Sequence, residues 1–542
     1  MPILRSSAPP RHRLLALLLA GATLAAASLA AAQDRPRGQP GADHPQTEQR
    51  QDDPRQGAER QTGERQADQR QGAQRQAPAG PGVLRLLPGD SVTQHSIEIA
   101  GKKLDYTAAA GTFSLYDQSG ERSAAIYYTA YVAKGADSAS RPLTFVFNGG
   151  PGAASAFLNL GLVGPRVAQL ALTAHDGAQA KLADNPDTWL AFTDLVLIDP
   201  VGSGWSRPAK PDGGSAFWGV RSDANSMAKV IALYVNNNAR SASPKYILGE
   251  SYGGFRAAKV ARAVQEQQGI IISGIVMLSP LIDGALTFGS SRSALGAALQ
   301  LPSLAAAELE RKGTFTPEKL AEAEHFALNE YLTTLVGAPP QGEAARAFYA
   351  RVAAITGLPE DVVAKQRGFI RDSYVKNSES GAHKIVSHYD ATFAVDDPFP
   401  DQLANRGPDP LLEGVVRAYG GAYAAYARDE LGFKTEITYN LLASEISGKW
   451  DWEGGRAGAD VSDDLRTLLS LTPSFRLLIA HGYSDMVTPF AASRYVLNHM
   501  PQLDDPSRAQ LRLYRGGHMI YIDPASRHAF TADAKVFYQE AP

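Results

Sequence analysis

Five short stretches are apolar at nearly every position: Leu143-Thr-Phe-Val-Phe147, Leu195-Val-Leu-Ile198, Tyr246-Ile-Leu248, Ile275-Val-Met-Leu278 and Phe475-Arg-Leu-Leu-Ile479. A strand with one wet face alternates apolar and polar residues, whereas continuous apolar runs suit parallel strands buried on both faces. Helical stretches separate several of them, at Ser222–Val235 and Phe255–Gln267. Strand, helix, strand in repetition predicts an α/β domain with a mostly parallel central sheet. Ahead of these runs, residues 113–133 alternate across Gln118-Ser119-Gly120, which predicts a hairpin leading into the domain. Residues 285–446 break the rhythm: they are rich in Ala, Glu and Leu and lack buried-strand runs. They are expected to form a mostly helical cap inserted between a first core segment, 82–284, and a second, 447–542.

The N-terminal part follows other rules. Arg5, Arg11 and Arg13 precede a Leu/Ala-rich stretch from Leu14 to Leu29, and Ala30-Ala31-Ala32 fits a small-residue cleavage site. Residues 1–32 therefore read as an export signal. In residues 33–81, Arg-Gln recurs every five residues from Arg50 to Arg75, a period that matches neither a helix face nor a strand face. That segment reads as a disordered linker. The 542 residues carry a net charge of −3 and no cysteine. Near-neutral charge argues against nucleic acid as a partner. Without cysteine an exported product must hold together by its core alone. Export to the periplasm or medium, with no stable membrane association after cleavage, is the expectation.

Candidate chemistry clusters at the ends of the predicted strands. Gly249-Glu-Ser-Tyr-Gly253 follows the strand at Tyr246–Leu248 and precedes the helix near Phe255. A sharp strand-to-helix turn of the form G-x-S-x-G lifts a serine hydroxyl above the sheet, making Ser251 the candidate nucleophile of an α/β-hydrolase fold. A serine needs a base, and in this fold the acid and then the histidine follow in chain order. His518, in Gly516-Gly-His518 just after the predicted strand Gln510–Tyr514, is the candidate base. His481, His499 and His528 read as surface or packing residues. Asp485, on the loop leaving Phe475–Ile479, is the candidate acid, with Asp505 and Asp523 as fallbacks. An oxyanion needs two donors: the backbone N–H of Tyr252, and one from the loop Asn148-Gly-Gly-Pro-Gly152. No metal or other cofactor is expected. The nearest cap pair, His383 and His388, lie five residues apart with Lys384 after the first, unlike a zincin helix.

Taken together, Asn148-Gly-Gly-Pro-Gly152, Asp199-Pro-Val-Gly-Ser-Gly-Trp-Ser206, Gly249-Glu-Ser-Tyr-Gly-Gly254, Gly482-Tyr-Ser-Asp485 and Gly516-Gly-His518 resemble the serine carboxypeptidase family in identity and order. The resemblance implies removal of C-terminal residues from peptides through an acyl-enzyme, best at acidic pH. It implies that Asn148 and Glu250, with the Gly149 backbone, bind the free α-carboxylate of a peptide substrate. It also implies that Gly150 and Tyr252 form the oxyanion hole. An ionised Glu250 would repel that carboxylate, whereas a protonated one donates a hydrogen bond to it. The chain departs from the family pattern at Ala153, where cysteine is common, at Phe147, and at Asp199-Pro200, where a residue often intervenes. An esterase, an acyltransferase or an aminopeptidase on the same triad is the competing reading. A binding protein on an inactive hydrolase fold is a third.

Overall fold

The computed structural model describes residues 82–170 and 180–539, so the predicted signal and linker lie outside the described residues. From Ser91 to Tyr514 the chain is organised around a ten-stranded sheet. Its labelled strands are β1 (Ser91–Ile99), β2 (Lys102–Tyr116), β3 (Arg122–Ala133), β4 (Leu143–Phe147), β5 (Asp194–Ile198), β6 (Lys245–Glu250), β7 (Gly274–Leu278), β8 (Arg476–Gly482) and β9 (Ala509–Tyr514). They lie in the order β1-β2-β3-β5-β4-β6-β7-β8-β9, and the short strand Arg207–Pro208 pairs with β3. The pairings are antiparallel from β1 to β5 and parallel from β5 through β9. Each of the five apolar runs lies in one of the parallel strands, or starts one residue before it.

Alternate residues of those strands serve two different cores. Val146, Leu195, Leu197, Tyr246, Leu248, Val276, Leu278 and Leu478 face one layer. Phe145, Phe147, Val196, Ile198, Ile247, Ile275, Met277 and Ile479 face the other. Both faces are dry, so apolar residues fill both parities and the runs are nearly continuous. Helices α1 (Val220–Asn237) and α2 (Tyr252–Gln268) cover the second face through Met227, Ile231, Val260 and Val264.

The range 285–446 is mostly helical but packs in two places. Helix α3 (Ala294–Arg311) and the shorter helices to Asn377 build a separate core around Leu301, Leu304, Phe326, Tyr331, Phe348, Val352 and Tyr374. Helix α4 (Pro410–Asp429) instead covers the first face of the sheet. It starts firmly, with Pro410 at its first position and the Asp409 carboxylate capping the N–H groups of Leu411 and Leu412. Its Tyr423 hydroxyl bonds Thr129 of β3 at 2.6 Å, beneath a buried tyrosine stripe of Tyr419, Tyr423 and Tyr426. The composition of 285–446 assigns α4 to the cap. Its stripe covers the sheet face that the C-terminal helix α5 (Pro524–Gln539) also covers through Phe530, Phe537 and Tyr538.

Candidate active site

Strand β6 ends at Glu250 and helix α2 begins at Tyr252, leaving Ser251 alone in the turn with φ 61° and ψ −125°. A non-glycine residue in that region is strained, and the surroundings hold it there: its N–H donates to the Leu278 carbonyl at 2.9 Å, and its carbonyl accepts from Gly254 and Leu281. Only glycine fits at two neighbouring positions. A Cβ on Gly253 would overlap the Phe147 carbonyl, and one on Gly149 would overlap the Tyr252 N–H. The loop 148–152 and the serine turn are thus pressed against each other. Among the described residues, neither the Gly150 nor the Tyr252 N–H donates to a protein acceptor.

His518 and Asp485 reach this turn from the loops after β9 and β8. The His518 Nδ1 lies 2.9 Å from the Asp485 Oδ2. Asp485 is fully buried and fixed by the N–H groups of Val487 and Thr488 on its Oδ1 at 2.8 and 3.1 Å, and by the Thr488 hydroxyl on Oδ2. Burial alone would depress the imidazole pKa, but the adjacent Asp485 carboxylate overrides it and holds His518 above the ordinary 6.5. Ser251 and His518 line one cavity, and no hydrogen bond joins the serine hydroxyl to the imidazole among the described residues. Such bonds commonly tighten only around a substrate.

The remaining predicted residues converge on the same cavity of about 90 Å³, which Asn148, Gly149, Gly150, Glu250, Ser251, Tyr252 and His518 all line. Asn148 Nδ2 donates to Glu250 Oε2 at 2.5 Å. Burial pushes the Glu250 carboxyl up from 4.5 to about 7, against the opposing pull of His518, Tyr521 and Asn148. Near neutrality a large fraction of Glu250 therefore carries a proton. Of the other histidines, His481 is wholly buried, bonded to Ser493, and pushed by burial down to about 4. His528 bonds Asp187, and His499 ends the helix Phe490–Asn498. The fallback acids are occupied locally, Asp505 with Ser507 and Asp523 with the N–H of Ser526. His383 terminates a short turn and His388 faces Asp409 at 3.8 Å. Among the described residues, no group of three His, Cys, Asp or Glu could hold a metal ion.

Several contributors escaped the sequence reading. Tyr521, three residues after His518, donates to both Glu250 oxygens at 3.1 Å. Arg256, one turn into α2, is buried against Asp223 at 2.6 Å and donates to the Asn148 carbonyl at 2.5 Å. A loop of the inserted segment, between the short strands Lys384–Val386 and Ala394–Asp396, reaches the two loops bearing Asp485 and His518. The His518 N–H donates to the Tyr389 carbonyl at 2.6 Å, and the Met486 N–H to the His388 carbonyl at 3.1 Å. Ser484 bonds the Asp390 carboxylate, and the Tyr389 ring stands edge-on to the imidazole. The histidine has a local signal for Tyr521. The loop contacts have none.

A mostly parallel sheet with serine, acid and histidine loops at the carboxyl ends of its strands defines a serine hydrolase of the α/β-hydrolase fold. The family model described as serine carboxypeptidase matches residues 109–512, and the chain belongs to that family. No curated protein matches the chain. Among solved structures, it resembles Kex1(delta)p, a prohormone-processing carboxypeptidase from Saccharomyces cerevisiae, with 13% identity and a TM-score of 0.52, over 80% of this chain and 91% of that one. A proline iminopeptidase from Mycobacterium smegmatis matches at 15% identity and a TM-score of 0.34, over 80% of this chain and 98% of the other.

Proposed function

We propose that this serine carboxypeptidase acts through Ser251 as nucleophile, His518 as general base and then acid, and Asp485 as the group that orients His518. The Ser251 Oγ attacks the carbonyl of the last peptide bond while its proton passes to His518 Nε2. The oxyanion takes hydrogen bonds from the N–H groups of Gly150 and Tyr252. His518 then gives the proton to the leaving amino group, and water repeats the sequence on the acyl-enzyme. Protonated Glu250, with Asn148 and the Gly149 backbone, holds the terminal α-carboxylate. One observation carries this reading: a buried Asn148–Glu250 pair beside Ser251, whose carboxyl is shifted up to about 7. Because that proton is needed, turnover falls as pH rises through about 7.

Among the described residues, Glu250 is the only carboxylate lining the cavity, so nothing there suits the free amine of an aminopeptidase substrate. The helices from 294 to 377 act as the cap in this reading, and residues 1–32 direct export to the periplasm or medium. Among the described residues, no helix is long and apolar enough to cross a membrane. The test compares kcat/KM for a benzyloxycarbonyl dipeptide and its C-terminal amide, with Ser251→Ala as the control. Amidation should cost about 100-fold or more, because it leaves buried polar groups unpaired. Equal cleavage of acid and amide would transfer the assignment to another acyl hydrolase.

A further inference from the structure

Among the described residues, Arg456 is the one Lys or Arg side chain that lines the cavity, and it has no part in the acyl transfer. Arg456 opens the short turn Arg456–Gly458, which the Ala459 N–H closes on the Arg456 carbonyl at 3.4 Å, and the Ala459 carbonyl in turn accepts from the Gly284 N–H at 2.7 Å. Its guanidinium lies 3.7 Å from the Phe288 ring centroid and 5.7 Å from that of Trp452. Among the described residues it makes no ion pair. The acids of its neighbourhood are engaged elsewhere: Asp283 caps Ala285 and Asp460 caps Ser462. The guanidinium is therefore stacked on aromatic faces, partly open to solvent, and without a protein counter-ion where it lines the cavity. Arg is suited to this, since a flat guanidinium stacks while its edge N–H groups remain free to bind a carboxylate.

Two clusters meet in the cavity. The first joins Asn148, Glu250 and Tyr521 by hydrogen bonds. The second joins Tyr252 to Trp452 at 5.4 Å, and through Trp452 to Arg456 and Phe288. Resting on the proposed assignment, the terminal carboxylate occupies the first cluster, and the residue that forms the acyl-enzyme meets the second. We infer that Arg456 is a specificity determinant that selects an acidic side chain, Asp or Glu, at the penultimate position of the peptide.

The experiment measures kcat/KM at pH 6 for three benzyloxycarbonyl dipeptides ending in Leu, with Glu, Gln or Lys before it. Glu should exceed Gln by about 10-fold or more, the discrimination expected of a charge-assisted hydrogen bond, and Lys should be poorest. In Arg456→Gln the Glu-to-Gln ratio should fall towards one, Arg456→Lys should keep part of it, and Arg456→Glu should favour Lys. The inversion is a gain that misfolding cannot produce. A wild-type ratio near one, or a ratio unmoved by the substitutions, overturns the inference while leaving free-acid cleavage intact. Equal cleavage of the Leu acid and its amide removes the underlying assignment, and this inference with it.

Discussion

Replacing Glu250 with glutamine tests the proton on which the carboxylate-binding proposal depends. The side chain accepts from Asn148 and Tyr521 and is wholly enclosed, and burial moves its pKa from 4.5 to about 7. The productive protein has Glu250 protonated and His518 neutral. The alkaline limb of kcat/KM in the wild type therefore belongs to Glu250, and the acid limb to His518. Because the two charges act on each other, each limb is an apparent value of the coupled pair, Glu250 dominating the alkaline side and His518 the acid side. Glutamine keeps the shape of the protonated acid and cannot ionise. The alkaline limb should vanish, and the acid limb should move to lower pH, since a Glu250 charge helps raise the His518 pKa.

The same substitution has a stability signature. A carboxyl whose pKa is raised by folding contributes stability that is complete below 4.5 and lost as pH rises through about 7. Between pH 5 and pH 8 the wild type should lose about 2–3 kcal/mol that Glu250→Gln retains. Urea unfolding of both proteins at the two pH values measures it. An alkaline limb that survives in the variant, together with a pH-independent stability difference, would refute the reasoning.

Two further substitutions probe neighbouring groups. Asp485→Asn keeps an acceptor for the Val487 and Thr488 N–H groups but misdirects the imidazole tautomer. It should lower kcat by about 10⁴-fold with an unchanged circular dichroism spectrum. Tyr521→Phe removes a donor that favours the Glu250 charge, so the alkaline limb of the kcat/KM profile should shift to higher pH.

The sheet was legible because its parallel strands β4 to β8 have two dry faces, which leaves a nearly continuous apolar run in each. Strand β1 was not, because it is an edge on which only Ile97 is buried and Val92 is 62% open to solvent. Most of β2 was hidden for another reason: Ala108 and Ala110 fill tight positions and give a weak apolar signal. Helix α4 shows why an insertion cannot be apportioned from composition, since its tyrosine stripe would suit a cap core as well as a sheet face. At the site, Ser251, His518 and Asp485 announce themselves through glycine-rich turns at strand ends. Arg256, Tyr389 and Arg456 carry no such punctuation, and only the folded arrangement brings them together.

The loop at residues 387–393 bears on how this scaffold can be altered. Its carbonyls accept from the backbone N–H groups of His518 and of Met486, which follows Asp485. In the proposed reading the insertion shapes selectivity, and this loop of it also holds the segments that carry His518 and Asp485. A chimera that imports a foreign insertion needs to retain this loop, or it will lose turnover along with selectivity.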